Sequence, residues 1–214
     1  MVDISKYNKE LEYKGKNLFL EQVSLNNIAK NFETPAFCYS SSLIANNFNL
    51  FKTSFKKIKP LICYAMKANF NSYIIKILVK LGSGIDVVSK GELKKCLENG
   101  VEANKIVFSG VGKKDDEIEY ALKKKIKQIN VESLEELKDI EVICKKLKIK
   151  TNVCLRVNPD INANTHDKIS TGRLEDKFGI PNDQIQHIFN TYRNSRFIKI
   201  IGLSIHIGSQ IESL

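Results

Sequence analysis

The stretch Leu61-Ile62-Cys63-Tyr64-Ala65-Met66-Lys67-Ala68-Asn69 decides how this 214-residue chain folds. Its apolar run, 61–67, has the length of a buried strand. Pro60 opens it, as a strand's first residue can, and Asn69-Phe70-Asn71 closes it with turn chemistry. The run carries one lysine to its carboxyl end. In a β/α barrel the carboxyl ends of the strands form the face where the chemistry is done. A lysine desolvated there loses basicity and becomes a nucleophile for a carbonyl; one that merely snorkels into water is the plain alternative.

Outward from this strand the pattern is regular. Helix 71–81 is stopped by Gly82, and strand 85–88 follows. Ser89 and Glu92 stand at capping-box spacing before a helix that ends at Asn99-Gly100. Strand 105–108, helix 115–126 and strand 128–131 lead to a helix over 133–147, again with Ser133 and Glu136 at capping-box spacing. Strand 152–157, a helix opened by Pro181 and strand 200–207 complete the series. The strands read as continuous apolar runs, the pattern of a parallel sheet covered on both faces. Upstream, Thr34-Pro35 introduces a short strand, 36–39, and a helix with apolar residues at Leu43, Ile44, Phe48, Phe51, Phe55 and Ile58, close to helical spacing. Residues before Thr34 read as polar and irregular, with one amphipathic stretch over 18–28.

No GxGxxG follows the first strand, which counts against a dinucleotide fold. The expected architecture is α/β: an incomplete (β/α)8 barrel of the TIM type, with about six of its eight strands.

Composition narrows the function. Hydrophobic residues make up 43% and charged residues 27%, as in an ordinary globular domain, and no apolar run approaches a membrane span. The amino terminus lacks the apolar core of a signal peptide, so the chain is expected in the cytoplasm. The net charge of +10 comes mostly from lysine: only Arg156, Arg173, Arg193 and Arg196 are arginine. Those lysines are scattered over helix faces without interleaved aromatics, which argues against nucleic acid as a partner. Five cysteines without CxxC spacing read as buried free thiols, and the three histidines make no metal-ligand spacing.

Polar residues collect where the strands end: Lys67, Asp86 with Ser89, Ser109-Gly110, Arg156 with Asn158, and His206-Ile207-Gly208-Ser209. Taken singly, Glu92 completes a cap, Arg156 pairs with a carboxylate and His206 is a core histidine. In a barrel all these ends share one face.

These residues carry a resemblance. Tyr64-Ala65-Met66-Lys67-Ala68-Asn69, Gly84-Ile85-Asp86-Val87-Val88-Ser89 with Gly91-Glu92-Leu93, Ser109-Gly110-Val111-Gly112-Lys113 and Arg156-Val157-Asn158-Pro159 run in family order. So do Ile169-Ser170-Thr171-Gly172 with Lys177-Phe178-Gly179-Ile180, and His206-Ile207-Gly208-Ser209-Gln210. Together they resemble the amino-terminal half of the pyridoxal-phosphate-dependent decarboxylases of the alanine-racemase-like barrel class. The last two segments select the diaminopimelate decarboxylase family within it.

The resemblance implies pyridoxal 5'-phosphate as cofactor and decarboxylation of meso-2,6-diaminopimelate to L-lysine. Lys67 would condense with the cofactor aldehyde, and His206 would stack on its ring. Gly208 and Ser209 would help hold the phosphate, with Asp86, Glu92 and Arg156 around lysine and ring. Lys177 would sit near the interface of a homodimer. Residues 35–214 would form the partial barrel, and residues 1–34 would join a β-rich carboxy-terminal domain that the chain lacks. On that reading the chain alone is expected to have little or no activity. The alternatives are a decarboxylase of ornithine or arginine, and a non-catalytic cofactor-binding protein or remnant.

Overall fold

The computed structural model describes residues 9–55, 57–161 and 178–209. Contacts divide the chain into two compact units that meet at Pro60/Leu61.

In the first unit β1 (Leu11–Lys14), β2 (Asn17–Leu20) and β3 (Val23–Ser24) form an antiparallel sheet, followed by α1 (Leu25–Asn31) and α2 (Ser41–Ser54). The segment expected to be irregular is therefore mostly structured. Leu11 pairs with Leu20 and Lys14 with Asn17, leaving the two-residue loop Gly15-Lys16, in which Gly15 takes φ +62°. Strands this short, and exposed along most of β1, carry no readable apolar alternation. Residues 36–39 form no strand. Cys38 is exposed, against the expectation of a buried thiol, because no neighbouring strand covers it.

The second unit holds the chemistry. Its strands are β4 (Cys63–Ala65), β5 (Gly84–Val87), β6 (Ile106–Phe108), β7 (Gln128–Val131), β8 (Thr151–Asn158), the two-residue β9 (Ile180–Pro181) and β10 (Ile198–Ser204). The main sheet is parallel in the order β4-β5-β6-β7-β8-β10, with β9 pairing parallel to β8. Spatial order follows chain order, with no point where the winding reverses, as it would in a doubly wound sheet. This is a partial barrel, as the strand count predicts.

Helices α3 (Ser72–Lys80), α4 (Lys90–Glu98), α5 (Asp115–Lys124), α6 (Leu134–Leu147) and α7 (Asn182–Tyr192) alternate with the strands. Each buries a stripe at helical spacing, such as Leu137, Ile140 and Cys144 of α6, against strand residues Phe108, Ile129 and Leu155. Each fully buried aliphatic side chain contributes about 1.5–3 kcal/mol.

Both capping serines act as expected. Ser89 Oγ accepts from the Glu92 N–H at 3.2 Å, and Ser133 Oγ from the Glu136 N–H at 3.1 Å. The return arms reach one residue further back than in a capping box: Glu92 takes the Val88 N–H (2.7 Å) and Glu136 the Glu132 N–H (3.1 Å).

Three details differ from the sequence reading. First, β4 ends at Ala65, and Lys67 rides a 3-10 turn, Met66–Ala68. That turn carries the fully buried Met66 side chain, whose sulfur lies 3.4 Å from Cys96 Sγ. Second, the last strand stops at Ser204, so His206 follows it in coil. Third, among the described residues β10 pairs only with β8, and it alternates in burial, with Ile201 and Leu203 exposed.

Candidate cofactor site

A cavity of about 490 Å³ opens where the strands of the second unit end. Its walls come from successive strand ends: Lys67 after β4, Asp86 on β5, Ser109 after β6, Asn130 on β7, Glu132 after it, and Arg156 on β8. Ser204, His206 and Ser209 close the far side. Parallel strands aim all of these ends the same way, so residues as far apart in sequence as Cys63 and Ser209 line one space.

The middle of the site is held by an ionic network. Arg156 Nη1 donates to both carboxylate oxygens of Glu132, at 2.9 and 2.8 Å, and Glu132 also accepts from the Gly110 N–H at 3.1 Å. Glu132 is buried, and the Arg156 guanidinium lies over the Phe178 ring, 4.9 Å from its centroid. Gly179 makes that placement possible. It takes φ +82°, and a Cβ there would come within 2.9 Å of the Asn158 nitrogen. Alongside, the Lys113 ammonium donates to the carbonyls of Gly110 (2.6 Å) and Asn130 (2.8 Å) and pairs with Glu136 at 2.7 Å. Burial pushes the Glu136 carboxyl up, with Lys113 opposing.

Asp86, Cys63 and His206 line the cavity with Lys67. Burial pushes the Asp86 carboxyl up, while the Ser109 hydrogen bond and the Lys67 charge pull it down. The Cys63 thiol also lines the cavity, but burial and the Asp86 charge push it up to about 11, so it stays protonated at neutral pH. His206 stands at the mouth. Partial burial, then the charges of Arg156 and Lys67, lower its pKa and favour a neutral ring.

The donor set fits pyridoxal phosphate. The cavity has the size of a small-molecule site, with the Lys67 amine at one side and the Ser109, Ser204 and Ser209 hydroxyls, the Arg156 guanidinium and the His206 ring around it. The Ser204 hydroxyl is buried there without a hydrogen-bond partner among the described residues, a polar group that a ligand would satisfy.

The matching family is the pyridoxal-dependent decarboxylases, whose pyridoxal binding domain corresponds to residues 41–214. The chain belongs to that family. Diaminopimelate decarboxylase of Neisseria meningitidis serogroup A is 44% identical over 197 residues, 92% of this chain and 48% of that protein. A crystal structure of diaminopimelate decarboxylase from Helicobacter pylori complexed with L-lysine superposes with a TM-score of 0.85 at 43% identity, covering 87% of this chain and 48% of that one. Diaminopimelate decarboxylase from M. jannaschii, in co-complex with L-lysine, gives 0.86 at 34% identity over 95% of this chain and 49% of that one. This decarboxylase-family chain thus spans about half the length of the relatives it matches.

Of the residues singled out from the sequence, Lys67, Asp86, Arg156, His206 and Ser209 line one cavity. Glu92 and Gly208 do not line it, and Glu92 binds the Val88 amide instead. Lys177 lies outside the described residues. Sequence reading missed Glu132, Asn130 and Ser204. Glu132 had a signal, since it follows strand 128–131 directly and completes the row of polar strand ends. Asn130 lies inside strand 128–131 and Ser204 inside the expected strand 200–207, where nothing in the sequence marks an inward polar residue.

Proposed function

We propose that this chain forms the cofactor-binding half of a diaminopimelate decarboxylase, acting on meso-2,6-diaminopimelate to release carbon dioxide and L-lysine. The observation that supports it is Lys67 beside Asp86, Arg156, His206 and the unsatisfied Ser204 hydroxyl in one cavity of a pyridoxal-binding domain. The names of its relatives, and the L-lysine bound in two of them, favour this substrate over ornithine or arginine.

Pyridoxal phosphate, when bound, supplies the electron sink for loss of carbon dioxide. Lys67 is the amine that would attach its aldehyde, and Asp86 the carboxylate that holds the proton balance of that amine. His206, kept neutral, would support the ring without competing for the phosphate as a charge. Ser204 and Ser209 would donate hydrogen bonds from their hydroxyls to the cofactor. Arg156 is already committed to Glu132, so it shapes the wall and contributes field. Lys177 we assign to a homodimer interface on its motif alone, residues 1–34 to a β-rich second domain, and the protein to the cytoplasm on composition.

The test is spectroscopic. The chain loaded with pyridoxal phosphate is titrated with diaminopimelate, ornithine and arginine while visible absorption is followed. A change at lower concentration with diaminopimelate is expected. An equal response to ornithine or arginine would overturn the substrate assignment.

A further inference from the structure

One chain of polar groups inside the barrel is not used by the reading above. Gln128 Nε2 donates to Asn130 Oδ1 (3.0 Å), Asn130 Nδ2 donates to Ser109 Oγ (2.9 Å), and Ser109 Oγ donates to Asp86 Oδ1 (2.6 Å). Gln128 and Asn130 are two apart on β7 and so share a face, and Gln128 Nε2 also lies 3.1 Å from Cys154 Sγ on β8. The chain therefore crosses the sheet interior from β8 to β5, and its last three members line the cavity with Lys67.

With the Asn130 amide nitrogen turned to Ser109, the direction of donation is set. An amide nitrogen can only donate, so Ser109 must accept from Asn130, and its single proton goes to Asp86. A hydroxyl that accepts while it donates is polarised, and its hydrogen bond to a carboxylate is charge-assisted. We infer that Gln128, Asn130 and Ser109 form a one-way hydrogen-bond ladder that fixes Asp86 as an aimed, charged carboxylate facing Lys67, with Asn130 as a positioning residue that touches neither. The charged groups bearing on Asp86 are Lys67, Glu92 and Lys113, with the Cys63 thiol beside it.

The inference rests on the proposed cofactor site for its purpose, but its test does not require the cofactor. The Asp86 carboxyl is followed by carbon-13 NMR across pH in the whole chain without cofactor, for wild type, Ser109→Ala, Asn130→Leu and Gln128→Leu. Asn130→Leu keeps the number and branching of side-chain heavy atoms while removing the donor. Ser109→Ala is expected to move the Asp86 midpoint up most. Asn130→Leu should move it up less, although Asn130 does not contact Asp86, and Ser109→Thr, which keeps the hydroxyl, should restore the wild-type midpoint. An unmoved midpoint in folded Asn130→Leu overturns the ladder. Should Asn130→Leu not fold, an unmoved midpoint in Gln128→Leu overturns it equally.

A second readout is the pH dependence of borohydride trapping of pyridoxal phosphate on Lys67, which should shift in the same variants. A shifted Asp86 midpoint with no trapping at Lys67 in wild type would sink the cofactor reading and leave the ladder standing.

Discussion

The middle of the site and its flanks are built differently. At the centre, Glu132 and Arg156 stand at the ends of strands paired on both sides, are held by hydrogen bonds under 3.2 Å and are largely hidden from water. At the flanks, Lys67 and His206 follow β4 and β10, which end the main sheet; Lys67 is exposed and His206 is open to water on one side and partly covered on the other. Rigidity is concentrated where no bond is made or broken, while the groups proposed to meet the cofactor lie on short turns beyond the strands. A site arranged this way separates stability from chemistry: the centre should answer to unfolding experiments, and the flanks to labelling.

The largest expected effect is at the centre. Glu132→Ala leaves the Arg156 guanidinium and the Gly110 N–H without their acceptor and should cost about 3–5 kcal/mol in urea unfolding. Replacing both members, Glu132→Leu with Arg156→Met, should cost less than the single change. A double variant as damaged as the sum of the two singles would break the comparison.

Next in size is the cap that starts α6 behind this centre. Ser133→Ala removes the acceptor of the Glu136 N–H and should lower stability by about 1 kcal/mol. At the flank, Lys67→Ala should leave unfolding within about 0.5 kcal/mol of wild type. A loss as large as that of Glu132→Ala would mean the lysine is structural.

The smallest effect is a pH dependence. The folded chain lowers the proton affinity of His206 below the ordinary 6.5, so just below that pH the unfolded chain binds more protons. Stability from this residue is therefore present above pH 6.5 and is lost as pH falls through it. The gap between unfolding midpoints above and below that value should be smaller in His206→Asn than in wild type, and an equal gap would remove His206 from this account.

The contrast also explains what could be read from the sequence. The central strands came through closely, 128–131 to the residue and 152–157 as Thr151–Asn158, because buried apolar residues recur at strand spacing in both, Ile129 and Val131 in one and Val153, Leu155 and Val157 in the other. The flanks were misjudged by two or three residues. Residues 66–67 extend an apolar run that the backbone leaves at Ala65, and residues 205–207 do the same after Ser204. Periodicity reports which residues avoid water and cannot say where pairing stops. Among the site residues, Lys67, Asp86, Arg156, His206 and Ser209 were recognisable as polar groups at strand ends. The partners that orient them, Asn130 on Ser109 and Glu132 on Arg156, are contacts across the sheet and exist only once the strands are side by side.

The central claim is that Lys67 is the amine poised for the cofactor aldehyde. The whole chain is mixed with pyridoxal phosphate, reduced with borohydride and digested, and the modified lysines are mapped by mass spectrometry against Lys67→Ala, with the other twenty-nine lysines as internal controls. The account predicts that label concentrates on Lys67 and that total label falls sharply in the variant. Label spread over surface lysines, and unchanged in Lys67→Ala, would contradict it.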